Sequence, residues 1–171
     1  MKNNIKKEKQ SDLELETLGR KIRLDKEMEE QENFTLTMFE NTEKYDQIVM
    51  MKDIQAVAKC EHHHCEFTMT VHAGYIPNQW LIGASKFNRI TRKHAHLNKK
   101  TLQERVTQQI LNSLMSIKPK GAMVIVEGKH SCIAYRGVRD NSTMITSAVG
   151  GVFRKDSSAK AEFISLINLN K

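Results

Sequence analysis

Cys60-Glu61-His62-His63 places a thiol, a carboxylate and two imidazoles in four consecutive residues, and His130-Ser131-Cys132 supplies a second His/Cys cluster far downstream. Thiolate and neutral imidazole are the ligands zinc prefers, and three protein ligands plus a water make a catalytic rather than a structural site. Water on such a metal ionises near neutral pH and becomes a nucleophile. If one ion uses both clusters, the fold must bring the two segments together. Cys60, His63 and Cys132 are the candidate ligands. Cys65 or His64 could add a fourth, which keeps a closed structural site open as a competitor.

Composition narrows the setting. The chain has 171 residues, 39% hydrophobic and 27% charged, which suits one soluble domain of ordinary core size. No apolar run approaches a membrane span. The lysine-containing start, MKNNIKKEKQ, lacks the apolar segment of a signal peptide, so a cytoplasmic protein is expected. Three cysteines are too few for a disulfide scaffold. The net charge of +7 has one concentration in Lys2, Lys6, Lys7 and Lys9. A second runs through Lys86, Arg89, Arg92, Lys93, Lys99, Lys100 and Arg105. Most of these side chains suit a solvated helical face; the sharper reading is attraction of a polyanion.

Periodicity sets out the elements. Residues from about Asp12 to Gln31 read as a helix, with Leu15, Leu18 and Ile22 on one face. Gln47–Ile54 reads as a strand. Phe67, Met69, Val71, Ala73 and Tyr75 alternate with Thr68, Thr70, His72 and Gly74, which is strand spacing. Pro77-Asn78 marks a turn. Ser85 reads as the cap of a helix running to about His96, and a longer helix follows from Thr101 to Ile117. Met123–Glu127, Ser131–Tyr135 and Met144–Val149 read as further strands, and Ser158–Leu169 as a final helix. The sum is an α+β domain in which helices lie against a largely antiparallel sheet. Its open edges hint at oligomerisation.

Several residues carry two readings. His62 and His130 flank the presumed ligands and suit general acid–base work, or the orientation of a ligand from behind. Thr101-Leu102-Gln103-Glu104 has the spacing of a capping box, which would occupy Glu104. Glu104 could instead accept the paired N–H donors of a guanine edge. Lys86, Arg89 and Arg136 are the cations to test for phosphate contacts.

At this level of detail the chain resembles the zinc-dependent GTP cyclohydrolase I family. The motifs that carry the resemblance, in order, are CEHH at Cys60–His63, F-x(4)-H-x(2)-YIP at Phe67–Pro77 and IGASKFNRI at Ile82–Ile90. QERVTQQI at Gln103–Ile110, HSCIAYRGV at His130–Val138, TSAVGGVF at Thr146–Phe153 and EFISLI at Glu162–Ile167 follow. Together they cover the chain from about Asp46 onward. The resemblance implies a tunnelling fold, an antiparallel sheet with helices packed on one face, assembling into pentameric rings and a decamer. It implies hydrolysis of GTP to 7,8-dihydroneopterin triphosphate and formate at sites between neighbouring subunits. It assigns Cys60, His63 and Cys132 to zinc, and His62, His130 and Ser85 to the chemistry. Glu104, Gln103, Lys86, Arg89, Arg136 and Glu61 fall to the substrate. Residues 1–45 then form an N-terminal tail and helix, and 46–171 the catalytic domain. No membrane or nucleic-acid partner is expected.

The departures are local. His64-Cys65-Glu66 replaces the family's usual apolar lead-out from CEHH, leaving two additional soft donors beside the metal. The lead-in to Gln103-Glu104 is Asn98-Lys99-Lys100-Thr101-Leu102, with a small insertion before it. With Pro77 and Pro119 the only prolines, the family's N-terminal Thr-Pro-x-Arg-Val segment has no counterpart. The chain reads as a truncated, divergent member of the kind a viral or other mobile genome carries, which would place it in a host cytoplasm. The competing function is a non-catalytic zinc protein of the same fold that binds a purine nucleotide or a protein partner. A basic zinc protein that binds nucleic acid ranks below it. A reductase of this fold acting on a deazaguanine nitrile is disfavoured by the zinc-type residues.

Overall fold

A computed structural model describes residues 33–97 and 99–169, together with Thr17, Leu18, Arg20, Lys21, Arg23 and Lys26. Those six are helical and exposed; the rest of the helix expected over 12–31, and the lysine tail, lie outside the described residues. The chain divides after Phe34 into two units, and the unit from Thr35 onward holds all the elements that follow.

The strands are β1 (Met38–Glu40), β2 (Val49–Cys60), β3 (Glu66–Ile76), β4 (Trp80–Ile82), β5 (Lys100–Thr101), β6 (Gly121–His130) and β7 (Met144–Gly151). The helices are α1 (Ala84–His94), α2 (Gln103–Met115), α3 (Ser131–Ala134), α4 (Val152–Lys155) and α5 (Ser157–Ile167). A five-stranded sheet runs in the order β5-β2-β3-β6-β7, and β1 pairs with β4 in a separate two-stranded ribbon. All pairs in the large sheet are antiparallel except β2 with the short β5.

Alternation along β3 sorts the two faces. Phe67, Met69, Val71, Ala73 and Tyr75 are all buried, and their cross-strand partners on β6 include Val126, Val124 and Ala122. The stripe Val106, Ile110, Leu114 of α2 is buried with them. Helix α1 adds Phe87, stacked on Tyr75 at 5.9 Å. Burying each large side chain of this kind contributes about 1.5–3 kcal/mol. The opposite face carries Gly74 between Met50 and Met123. A Cβ on Gly74 would come within 2.9 Å of Phe163, so the bare glycine lets α5 lie close on this face. Phe163, Phe153 and Ile167 form a second apolar cluster there with Met123. Helices on one face thus describes α1 and α2, while α5 covers one end of the other.

Local signals fail at element ends. Ser85 does not cap α1: the N-cap is Gly83, with no side-chain bond, and Ser85 lies exposed within the first turn. Thr101 does not cap α2 either, because it pairs with Cys60 as a strand residue and leaves Leu102 at the cap. Asp156 is a true cap, accepting from Ser158 and Ala159 N–H at the start of α5. Ser131–Tyr135, expected as strand, turns into the short helix α3.

Candidate metal centre

Four chain segments meet at one end of the sheet, where β2, β3 and β6 start or stop. Strand β2 stops at Cys60 and returns as β3 through the loop Glu61–Cys65. Cys60 N–H donates to Cys65 O at 2.8 Å, and His64 N–H donates to Cys60 O at 2.8 Å. His64 closes the loop with φ +55°, a left-handed conformation that costs a non-glycine residue strain. Glu61 N–H donates to Thr101 O at 3.0 Å, which ties the loop to β5 and so to the start of α2. Strand β6 ends beside it, with His130 opposite Phe67 and Cys132 one residue into α3.

The loop and α3 bring Cys60, His63 and Cys132 together. One donor atom from each lies within 4.8 Å of the other two, Cys60 buried, Cys132 half-buried and His63 exposed. The cysteines are free thiols. Burial pushes the Cys132 thiol above its ordinary value, and the nearby Cys60 and then Cys65 push it further. Two adjacent thiolates repel unless a cation lies between them, so this donor set fits zinc. Cys65 is not one of the trio; its Sγ donates to His63 O at 3.5 Å.

His130 sits beside the trio. Its ring stacks on Phe67, and its Nε2 lies 3.0 Å from Gln103 Oε1. Burial lowers its pKa, partly opposed by the charge of Glu104. Glu104 is therefore close to His130, exposed, and in the first turn of α2 without a capping role. Gln103 is 1% exposed. Glu61 is held by Arg105, whose Nη1 donates to Glu61 Oε2 at 2.6 Å. His62 is exposed with its ring 6.2 Å from that of His63.

Ser85, Lys86 and Arg89 are on α1, where Lys86 Nζ donates to Thr35 O at 3.3 Å. Arg136 is exposed just after α3. Residues that sequence reasoning passed over include Phe67 beneath His130, Arg105 on Glu61, and Thr107 and Thr146 around Gln103. Only Thr107 carried a usable signal: it stands four residues after Gln103, on the same helical face.

Fold and site together define an α+β protein of the tunnelling type with a Cys–His–Cys cluster able to hold a metal ion at one end of the sheet. The archaeosine synthase QueF-Like crystal structure in its apo form superposes with a TM-score of 0.51 at 15% identity, covering 61% of this chain and 94% of that one. The family model for GTP cyclohydrolase I matches residues 3–168, upstream of the motifs as well as through them. GTP cyclohydrolase 1 of Methylococcus capsulatus is 43% identical over 71% of this chain, and that of Aquifex aeolicus 38% identical over 89%. The chain belongs to the GTP cyclohydrolase I family. It spans 66% of the Methylococcus protein and 83% of the Aquifex one, and 41% of the GTP cyclohydrolase 1 of Neurospora crassa. Among the described residues no helix is long and apolar enough to cross a membrane.

Proposed function

We propose that this chain hydrolyses GTP to 7,8-dihydroneopterin triphosphate and formate. One observation carries the reading beyond family membership: the Cys60–His63–Cys132 trio, His130 and the uncapped Glu104 converge at one end of the sheet. Zinc held by Cys60, His63 and Cys132 would supply an acidified water for hydrolysis of the guanine imidazole ring.

The other roles belong to the chain's own side chains. Glu104 would accept the N–H donors of the guanine edge, which the helix start leaves it free to do. His130, whose pKa burial lowers, would take up a proton from water on its free ring nitrogen and pass it to the guanine ring nitrogen as the C8–N bond breaks. A second water then releases formate, and one water leaves when the new ring closes, so the balance is one water consumed. His62, exposed beside the trio, would move protons during ribose opening and rearrangement, with Ser85 assisting. Lys86, Arg89 and Arg136 would bind the triphosphate, and Gln103 and Glu61 fall on the substrate side.

Family membership supports sites completed by a neighbouring copy, in pentameric rings stacked as a decamer. We propose a catalytic domain over 46–171, preceded in sequence by an N-terminal segment of 1–45 whose last part adds β1 to the same compact unit, and a cytoplasmic location. Zinc-loaded protein incubated with GTP is expected to release formate and form a fluorescent pterin. Tight GTP binding without either product, in assembled protein, would replace this reading with a non-catalytic purine-nucleotide module.

A further inference from the structure

Gln103 is buried, and every polar atom of its side chain is engaged inside the chain. Its Nε2 lies 3.1 Å from Val126 O and 2.9 Å from Met144 O. Carbonyl oxygens only accept, so the amide nitrogen must face them and Oε1 must face the other way. That oxygen is 3.0 Å from His130 Nε2.

The surrounding hydroxyls have one consistent direction. Thr107 Oγ1 donates to Gln103 O at 2.8 Å. Having spent its proton, Thr107 accepts from Thr146 Oγ1 at 2.7 Å. Thr146 in turn accepts from Gln103 Nε2 at 3.2 Å. The two Nε2 hydrogens are shared among Val126 O, Met144 O and Thr146 Oγ1, and Oε1, which carries no hydrogen, faces His130 as an acceptor. Gly128 makes room for it: a Cβ there would lie 1.9 Å from Gln103 Oε1. The Phe67 ring, parallel to His130, fixes the imidazole plane.

We infer that Gln103 is a positioning residue that holds the proton of His130 on Nε2 and leaves Nδ1 as the nitrogen that faces the chemistry. This rests on the proposed role of His130 and changes that of Gln103, which acts through His130 rather than by touching guanine. An amide oxygen can only accept, so His130 must donate to it from Nε2, and the two ring nitrogens cease to be equivalent.

The test uses the full zinc-loaded chain, with Gln103→Leu and Gly128→Ala as two independent ways of removing Oε1 from Nε2. Nitrogen-15 spectra of histidine-labelled wild type are expected to show His130 as the Nε2–H tautomer, and both variants a mixture. Steady-state kinetics with GTP are expected to show kcat down at least about tenfold, with KM changed less than about threefold. A wild-type Nδ1–H tautomer overturns the inference whether or not the enzyme turns over. A raised KM at unchanged kcat in Gln103→Leu also overturns it and returns Gln103 to the substrate. If wild type releases no formate, the activity reading fails by itself and the spectra still decide the tautomer.

Discussion

The ring of Phe67 lies flat against that of His130, centroids 4.4 Å apart and planes 5° from parallel. The two residues are directly opposite on β3 and β6, so the sheet register itself sets the stack. Phe67→Leu keeps an apolar side chain but removes the flat surface. It is expected to cost about 1–2 kcal/mol in denaturant unfolding and to lower kcat more than it raises KM. An unchanged kcat in a correspondingly destabilised protein would show that the stack serves only the core.

The trio and the neighbouring thiol separate in a metal assay. Cys132→Ala is expected to lose stoichiometric zinc, because it removes one of three mutually adjacent donors. Cys65→Ala is expected to keep it, since that sulfur is turned to the His63 carbonyl. Zinc content after dialysis, by atomic absorption, checks both. Loss of zinc in Cys65→Ala would make it a fourth ligand.

Glu104 makes no capping bond in α2. Glu104→Gln is therefore expected to leave the unfolding free energy within about 0.5 kcal/mol of wild type. It is expected to lower kcat/KM for GTP by about 10–100-fold, as for a lost charged hydrogen bond. A stability loss of a full cap, about 1 kcal/mol, would contradict the first half of this prediction.

His94 sits between α1 and α2 with Nε2 2.8 Å from Ser113 Oγ. Burial, and then Lys99 and Lys93, lower its pKa to about 4. The unfolded chain titrates near the ordinary value of about 6.5 and so takes up the proton first as pH falls. Its contribution to stability is complete above about 6.5 and is lost progressively as the pH falls toward 4. With partial solvent screening the loss is about 1–2 kcal/mol. Melting temperatures between pH 7 and 4.5 check it. His94→Asn is expected to flatten that part of the profile, and an equally steep profile in the variant would assign the effect elsewhere.

The strands were legible where one face is continuously buried. Alternation from Phe67 to Tyr75 places β3 to within a residue at each end. It also put His72 on the polar side, yet His72 is 1% exposed. Its Nδ1 accepts from Asp53 N–H at 3.2 Å, at a β-bulge where Asp53 has φ +60°. A bulge has no signature in hydrophobic spacing. The helix starts were misread for a related reason: Ser85 and Thr101 are good caps by type, but strand pairing claimed Thr101 first. Clusters of chemistry near in sequence, such as Cys60–His63, were visible at once. The surroundings of His130 were not, because glutamine is by type a surface residue and only the packing of α2 on β6 buries Gln103.

The candidate metal ligands stand at two places far apart along the chain, in the β2–β3 loop and in α3. An ion held by all three would act as a reversible cross-link, closing the chain from β3 through β6, with α1 and α2, into one loop. Closing a circuit of that length removes unfolded-state freedom equivalent to about 4 kcal/mol in the chain-entropy description of cross-links. The centre would then be a fastener of the polypeptide as well as a reagent. Chelators should unfold this protein at lower temperature even when no substrate is present.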